Sequence, residues 1–140
     1  MSSSTEANIE TVKAIYAAFA SGDVASILAR LDDHVEWEPG YPHNDDIPWI
    51  KSGRGTAHVG AFFASLQVLE FTKFEVLAVM GEGPWVVALA ALDAVHKPSG
   101  RSFSEPCEPH VWKFNAAGKV VSMRHAADTR AQARAAGLPR

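Results

Sequence analysis

Three side chains that can move protons are spaced so that one folded sheet could bring them together. Residues 108–128 (EPHVWKFNAAGKVVSMRHAAD) have the pattern of two strands and a turn, with His110 on one strand and His125 on the other. Residues 35–39 (VEWEP) place Glu38 at the end of an earlier strand. A carboxylate and two imidazoles around one pocket predict acid–base chemistry.

Strand alternation predicts the direction in which the two histidines point. His110 alternates in phase with Trp112 and out of phase with Lys113, and His125 is in phase with Met123. Because successive side chains of a strand point to opposite faces, both histidines are expected to point inward. The alternative for each is a core histidine that bonds to a backbone carbonyl.

Two acidic side chains complete the set of catalytic candidates. Glu38 would be suited to shuttle protons at the edge of an apolar pocket. It shares its strand face with Glu36, however, so a solvated position at the strand end is the alternative. Asp93 lies in the apolar run 86–95. It is a catalytic candidate if its face points inward and a surface residue if that face points outward.

A set of aromatic and sulfur-containing side chains could bind a flat, apolar ligand. The predicted contact residues are Tyr16, Trp37, Tyr41, Trp49, Phe63, Trp112 and Met123. Core packing is the alternative, and it is preferred for Phe63. Trp49 is a lid candidate because it lies in a proline-rich segment, and Trp85 is a candidate contact in a dimer.

Composition limits the classes of partner. The 140 residues predict one domain, and a net charge of −3 argues against binding of nucleic acid, which requires a clustered basic face. Cys107 is the only cysteine, which excludes an internal disulfide and a cysteine-based zinc site. The other four histidines, His34, His43, His58 and His96, lack metal-ligand spacing, so no metal or other cofactor is predicted.

The sequence also predicts no membrane partner. No apolar run approaches the roughly 18 residues that a membrane-spanning helix needs. The polar, acidic start does not have the pattern of a signal peptide, so a cytoplasmic location is expected.

Periodicity and turn signals predict three helices followed by a run of strands. The helices are expected at 9–19, 24–31 and 56–69, the strands at 34–38, 71–81, 84–96, 102–115 and 119–127, an irregular loop at 39–55, and loose or short-helical termini at 1–6 and 129–140. Asp23 is a predicted helix N-cap. Asp128 is expected to cap the last helix, and the alternative is that it orients His125. Consecutive strands with tight turns predict an antiparallel sheet and the α+β class. A curved sheet closed by three N-terminal helices would form a cone.

This order of elements resembles the nuclear-transport-factor-2-like fold, and within it the SnoaL-like polyketide cyclase and ketosteroid isomerase group. The matching landmarks extend over nearly the whole chain: Ser21-Gly22-Asp23, Asp32-Asp33 with residues 35–39, Gly53-Arg54-Gly55, and Phe114 through Met123-Arg124. The resemblance implies a cone-shaped sheet and a small hydrophobic ligand. It identifies a fold more specifically than an activity.

The resemblance also implies roles for individual residues. In ketosteroid isomerases an aspartate before a proline shuttles the proton, and Glu38 holds that place. The oxyanion-binding aspartate corresponds to His110, and the oxyanion-binding tyrosine to Ile15, with Tyr16 one residue away and expected to point elsewhere. In the polyketide cyclases the acid–base aspartate corresponds to His125, and its neighbouring histidine to His110.

The function expected from these features is cofactor-independent proton transfer on a small hydrophobic carbonyl compound, giving isomerisation or aldol cyclisation. Glu38 or His125 would be the base, and His110 would stabilise the enolate or return the proton. One alternative is a non-catalytic ligand-binding or dimeric interaction module of the same fold. Another is a hydrolase or dehydratase that activates a water molecule. A homodimer packed through the outer sheet face is expected.

Overall fold

The computed structural model describes residues 4–41 and 46–139. Its elements are helices α1 (Thr5–Ala20), α2 (Val24–Leu28), α3 (Thr56–Ser65) and α4 (Thr129–Ala135), and strands β1 (Leu31–Trp37), β2 (Gly53–Arg54), β3 (Leu69–Glu82), β4 (Trp85–His96), β5 (Arg101–Phe114) and β6 (Val120–His125). The predicted α+β class is confirmed. The short strand β2 was not predicted, and His43, considered above as a metal ligand, lies outside the described residues.

Side-chain caps fix where α1, α2 and α4 begin. Ser4 accepts a hydrogen bond from the backbone N–H of Ala7, which satisfies a free donor of the first turn. Helix α1 therefore begins at Thr5, four residues before the predicted start at Ile9. Asp23 caps α2 and Asp128 caps α4 in the same way, so both predicted N-caps are confirmed.

The six strands form one curved sheet in the order β2-β1-β6-β5-β4-β3. All neighbouring strands are antiparallel except β1 and β6, which are parallel and pair Trp37 with Met123. The sheet is therefore mixed, where the sequence predicted an antiparallel one. A parallel pair needs a long connection between its strands, and here α3 and β3–β5 supply it. This pairing brings the end of β1 beside the end of β6.

A bulge in β5 changes which residues point inward. Against β4, Glu108 pairs with Ala90 and Glu105 pairs with Leu92, so β5 has an extra residue between these two pairs. Glu105 and Glu108 are consequently both buried, although they are three residues apart. Regular alternation would have directed one of them to the outer face.

The helices and the sheet enclose two groups of buried side chains. The first contains β-strand residues such as Val35, Trp112 and Val120 together with Val12 of α1. The second contains residues of the loop after β1, of β4 and β5, and of α4. Among the described residues, no helix has both the length and the apolar character needed to cross a membrane.

Candidate active site

One cavity of about 710 Å³, including the space at its mouth, lies between the helices and the sheet. Most of its wall is aromatic or aliphatic, which suits a flat apolar ligand. Six of the seven predicted contact residues line it: Tyr16, Trp37, Trp49, Phe63, Trp112 and Met123. His110 and His125 line it as well, so the inward direction predicted for both is confirmed.

Tyr41 is the exception among the predicted contact residues, and its role is corrected here. It is buried but does not line the cavity. Its hydroxyl donates to the backbone carbonyl of His125 and accepts from the N–H of Ala127. The ring also lies under the guanidinium of Arg124, 4.3 Å from the ring centre. Tyr41 therefore supports the end of β6 from outside the cavity.

Glu38, which is fully buried, and His125, which is partly buried, form a hydrogen-bonded pair. Glu38 Oε1 lies 2.6 Å from His125 Nδ1 and 3.0 Å from the backbone nitrogen of His125. The parallel β1–β6 pairing sets this contact, because the backbone N–H of Glu38 donates to Met123 O at 2.8 Å. Since Nδ1 is engaged, His125 has its Nε2 left for a ligand.

The backbone at Glu38 explains how this side chain becomes buried. Glu36 is partly exposed and pairs with Arg54 on the surface, and regular alternation would give Glu38 the same outward direction. Glu38 instead has φ 56°, a left-handed conformation that is uncommon outside glycine. Strand geometry therefore ends at Trp37, and the Glu38 side chain is 0% exposed beneath His125 rather than in the cavity wall.

His110 and His125 are direct cross-strand partners on β5 and β6. Their ring centres are 4.5 Å apart, with an interplanar angle of 72°. On its other side His110 Nδ1 lies 2.6 Å from the hydroxyl of Tyr16, which also accepts a hydrogen bond from Trp112 Nε1. The expectation that Tyr16 points elsewhere was wrong. Both Ile15 and Tyr16 line the cavity, because the inner face of α1 is wide enough to include both.

Glu108 determines the tautomer of His110. Its Oε1 lies 2.7 Å from His110 Nε2, and both side chains are almost fully buried. Burial raises the pKa of Glu108, but the hydrogen bond from His110 and the nearby imidazoles outweigh it, and the net pKa is lowered. Glu108 is therefore a carboxylate, and His110 must carry a proton on Nε2.

The two histidines have opposite protonation tendencies. Burial and the neighbouring His125 lower the pKa of His110. Burial also acts to lower the pKa of His125, but the carboxylates of Glu38, Glu108 and Glu105 outweigh it and raise the pKa. His110 is therefore held neutral, and its Nδ1 accepts from the hydroxyl of Tyr16. Burial raises the pKa of Tyr16, which keeps this hydroxyl protonated.

A second layer of polar residues lies behind His110, and the sequence analysis did not identify it. Gln132 Nε2 donates to Glu105 at 2.9 Å and to Glu108 at 3.2 Å, and Gln132 Oε1 accepts from Trp49. Burial raises the pKa of Glu105. Glu108 could have been found, because it is two residues before His110 and shares its face. The bulge that buries Glu105 also had a signal, because Pro106 lies within a central strand, where proline is found at bulges. The docking of Gln132 has no sequence signal.

Asp93 does not belong to this group, and its catalytic assignment is corrected. It is partly exposed on β4, whereas its neighbour Leu92 lines the cavity. Successive strand residues point to opposite faces, so Asp93 lies on the outer face of the sheet.

The described residues include one group whose side-chain atoms could ligate a metal ion, namely Glu108, His110 and His125, with atoms within 4.8 Å of one another. Glu108 and His110 are hydrogen-bonded directly to each other, and Nδ1 of His125 is bonded to Glu38. The atoms that could ligate a metal ion are thus used in hydrogen bonds, and the glutamates and histidines form a network in which protons are shared.

Comparison with known proteins supports the family that the element order indicated. A family model described as a SnoaL-like domain matches residues 12–123. The chain belongs to the SnoaL-like domain family. No curated protein matches the chain.

Solved structures agree with this SnoaL-like assignment. An NTF2-like protein of unknown function from Burkholderia pseudomallei has a TM-score of 0.78 at 25% identity, covering 92% of this chain and 96% of that one. An NTF2-like protein from Burkholderia xenovorans has a TM-score of 0.76 at 27% identity, covering 94% and 97%. TerC, co-crystallised with polyporic acid, has a TM-score of 0.75 at 24% identity, covering 92% and 97%. This last similarity is one of fold.

We expect Glu38→Gln to lower the pKa of His125, because the substitution removes the carboxylate that stabilises the imidazolium. NMR titration of the imidazole resonances measures the change, and a fall of about one unit or more is expected for a charge in direct contact. Glu36→Gln is the matched control on the same strand, and it should leave the titration of His125 unchanged. Equal titration curves in the wild type and both variants would show that Glu38 does not raise the pKa of His125.

Proposed function

We propose that this SnoaL-like protein is a cofactor-independent enzyme that transfers protons on a small, hydrophobic carbonyl compound. The observation that carries the proposal is the facing pair of histidines, whose different partners lower the pKa of His110 and raise the pKa of His125. Two titratable groups whose environments drive their pKa values apart are suited to serve as base and acid in one reaction. Both line the same apolar cavity, so one substrate could contact both.

In this proposal the base is His110, acting through Tyr16. The hydroxyl oxygen of Tyr16 would take a proton from the carbon next to the substrate carbonyl, while its own proton passes to His110 Nδ1. The imidazolium that forms on His110 is stabilised by Glu108, 2.7 Å from its Nε2. Burial opposes the formation of a free tyrosinate. The two transfers would therefore occur together.

The acid would be His125. As the electron pair of the broken C–H bond forms the enolate, the carbonyl oxygen would accept a hydrogen bond or a proton from His125 Nε2. Glu38 fixes the ring through Nδ1 and keeps it protonated. These roles exchange the two histidines relative to the sequence-based expectation, because Glu38 lies behind His125 and does not line the cavity.

The enolate has two productive outcomes. Return of the proton from His110 through Tyr16 to a different carbon gives an isomer. Attack of the enolate carbon on a second carbonyl of the same molecule gives an aldol cyclisation. Both outcomes balance without an oxidant, a reductant or another co-reactant, and the apolar wall would exclude water from the enolate.

The experiment that tests the proposal is enzyme-dependent exchange of the α-protons of cyclic ketones in D2O, followed by NMR. Tyr16→Phe and His125→Gln should each slow the exchange by roughly 10²–10⁴-fold, the range typical of a lost general acid or base. His34→Gln, an exposed histidine, is the matched control and should retain the full rate. Tight ketone binding without exchange above the buffer rate would instead favour the non-catalytic binding module.

The pH dependence of the exchange rate should be bell-shaped. His110 must be neutral, and its pKa lies below the ordinary value of 6.5, so activity should be lost as the pH falls through that lowered value. His125 must be protonated, and its pKa lies above 6.5, so activity should also be lost as the pH rises through that raised value. Glu38→Gln should move the upper limb to lower pH. A profile that rises steadily with pH would contradict the assignment of His125 as the acid.

The homodimer expected from the sequence is part of this proposal. Leu77, Met80 and Trp85 are large apolar side chains that are about half exposed on β3 and β4. Contact between two copies would remove them from water. Sedimentation velocity should show a species of about twice the 15.1 kDa chain mass, and Leu77→Lys should shift it towards the monomer. A single-chain species across the concentration range would rule the dimer out.

A further inference from the structure

The hydrogen bonds around Glu108 leave this residue with spare acceptor capacity and engage the donors that contact it. Glu108 Oε1 accepts from His110 and Oε2 accepts from Gln132, and the Glu105 side chain also hydrogen-bonds to Glu108. A carboxylate oxygen can accept about two hydrogen bonds, so the oxygen that accepts from His110 keeps acceptor capacity. Glu108 itself lines the cavity.

The donors next to Glu108 are already engaged. Gln132 gives Nε2 hydrogens to both Glu105 and Glu108, and its Oε1 accepts from Trp49. His110 gives its Nε2 hydrogen to Glu108. The hydroxyl of Tyr16 is engaged with His110 Nδ1 and with Trp112. A ligand group placed beside Glu108 would therefore meet acceptors.

The distribution of charged residues around the cavity also favours a hydrogen-bond donor over an anion as the ligand group. Among the described residues that line it, Glu108 is the only Asp, Glu, Lys or Arg residue. Arg124, the cation nearest in sequence to His125, is directed away and lies over the Tyr41 ring. A ligand carboxylate in this cavity would therefore lose its hydration and gain no cation to replace it except the imidazolium of His125, which already faces Glu38.

We propose that Glu108 is a specificity determinant that accepts a hydrogen bond from an O–H or N–H group of the ligand, and that the cavity selects such ligands over carboxylates.

This O–H or N–H group of the ligand must lie close to the ligand carbonyl. A carboxylate oxygen of Glu108 and a ring nitrogen of His125 are within 4.8 Å of each other, so one ligand must reach both across that distance. A donor on the carbon next to the carbonyl, or one carbon further, meets this requirement. The substrate class is therefore an α- or β-hydroxy (or amino) carbonyl compound with a flat apolar body.

This inference rests on the proposed function for the ligand carbonyl, which accepts a hydrogen bond from His125. The contact between the O–H or N–H group of the ligand and Glu108 depends only on the binding geometry at Glu108. The two parts can fail separately, because ligand affinity is measured without turnover, and α-proton exchange is tested with variants of Tyr16 and His125 in which Glu108 is unchanged.

The test uses four bicyclic aryl ketones that share one ring system. The first carries a hydroxyl on the carbon next to the carbonyl, the second a methoxy group at that position, the third a hydroxyl on the distant aromatic ring, and the fourth a carboxylate next to the carbonyl. Quenching of tryptophan fluorescence reports binding, because Trp37, Trp49 and Trp112 line the cavity. The first ketone should bind about tenfold or more tightly than the second and third, as expected for a hydrogen bond to a buried carboxylate, and the carboxylate should bind weakest.

Glu108→Gln should reduce the preference for the adjacent hydroxyl to roughly threefold or less, because a neutral amide is a weaker acceptor, and it should relax the exclusion of the carboxylate. Glu75→Gln is the matched control, since Glu75 is exposed on β3 and its loss changes the net charge equally. Equal affinity of wild-type protein for the hydroxyl and methoxy ketones would overturn the inference. Loss of α-proton exchange with the affinity order retained would overturn only the proposed function.

Discussion

The parallel pairing of β1 with β6 is the constraint on which the site depends. It places the backbone N–H of Glu38 on the carbonyl of Met123, and the same alignment sets the Glu38 carboxylate against both the ring and the backbone of His125. Without this pairing, the end of β1 would have no fixed position relative to the final hairpin. The left-handed backbone of Glu38 then directs its side chain beneath the histidine. A residue far away in sequence thus becomes the partner that holds His125 protonated.

The antiparallel β5–β6 pairing supplies the other half of the arrangement. It places His110 directly opposite His125, but the two rings have different neighbours on their outer sides. Two imidazoles this close disfavour a second positive charge, so protonation of one opposes protonation of the other. Because the carboxylate of Glu38 stabilises the imidazolium of His125, the neutral form is left to His110. The difference between the two histidines therefore arises from their partners and not from their depth of burial alone.

The polar groups occupy one part of a cavity whose remaining wall is aromatic and aliphatic. This arrangement has an electrostatic consequence, because hydrogen bonds and charge pairs are stronger where water is excluded. It also has a structural cost, since buried glutamates need partners. Gln132 provides one for both Glu105 and Glu108, and through Trp49 it connects α4 to the loop after β1. The C-terminal helix is thus joined to the polar network behind His110.

The sequence by itself determined the α+β class and the inward direction of His110 and His125, because strand alternation and turn residues are local signals. The SnoaL-like family was indicated by a resemblance, which the family match then showed. It also identified Glu38 as a candidate, although alternation alone could not decide its direction. Only the tertiary structure decided that Glu38 lies beneath His125, that Tyr16 reaches His110, and that Asp93 and Tyr41 lie outside the cavity. It also added Glu105 and Gln132. These outcomes depend on a parallel strand pair, a bulge and a left-handed residue, and each of them is set by contacts between segments distant in the chain.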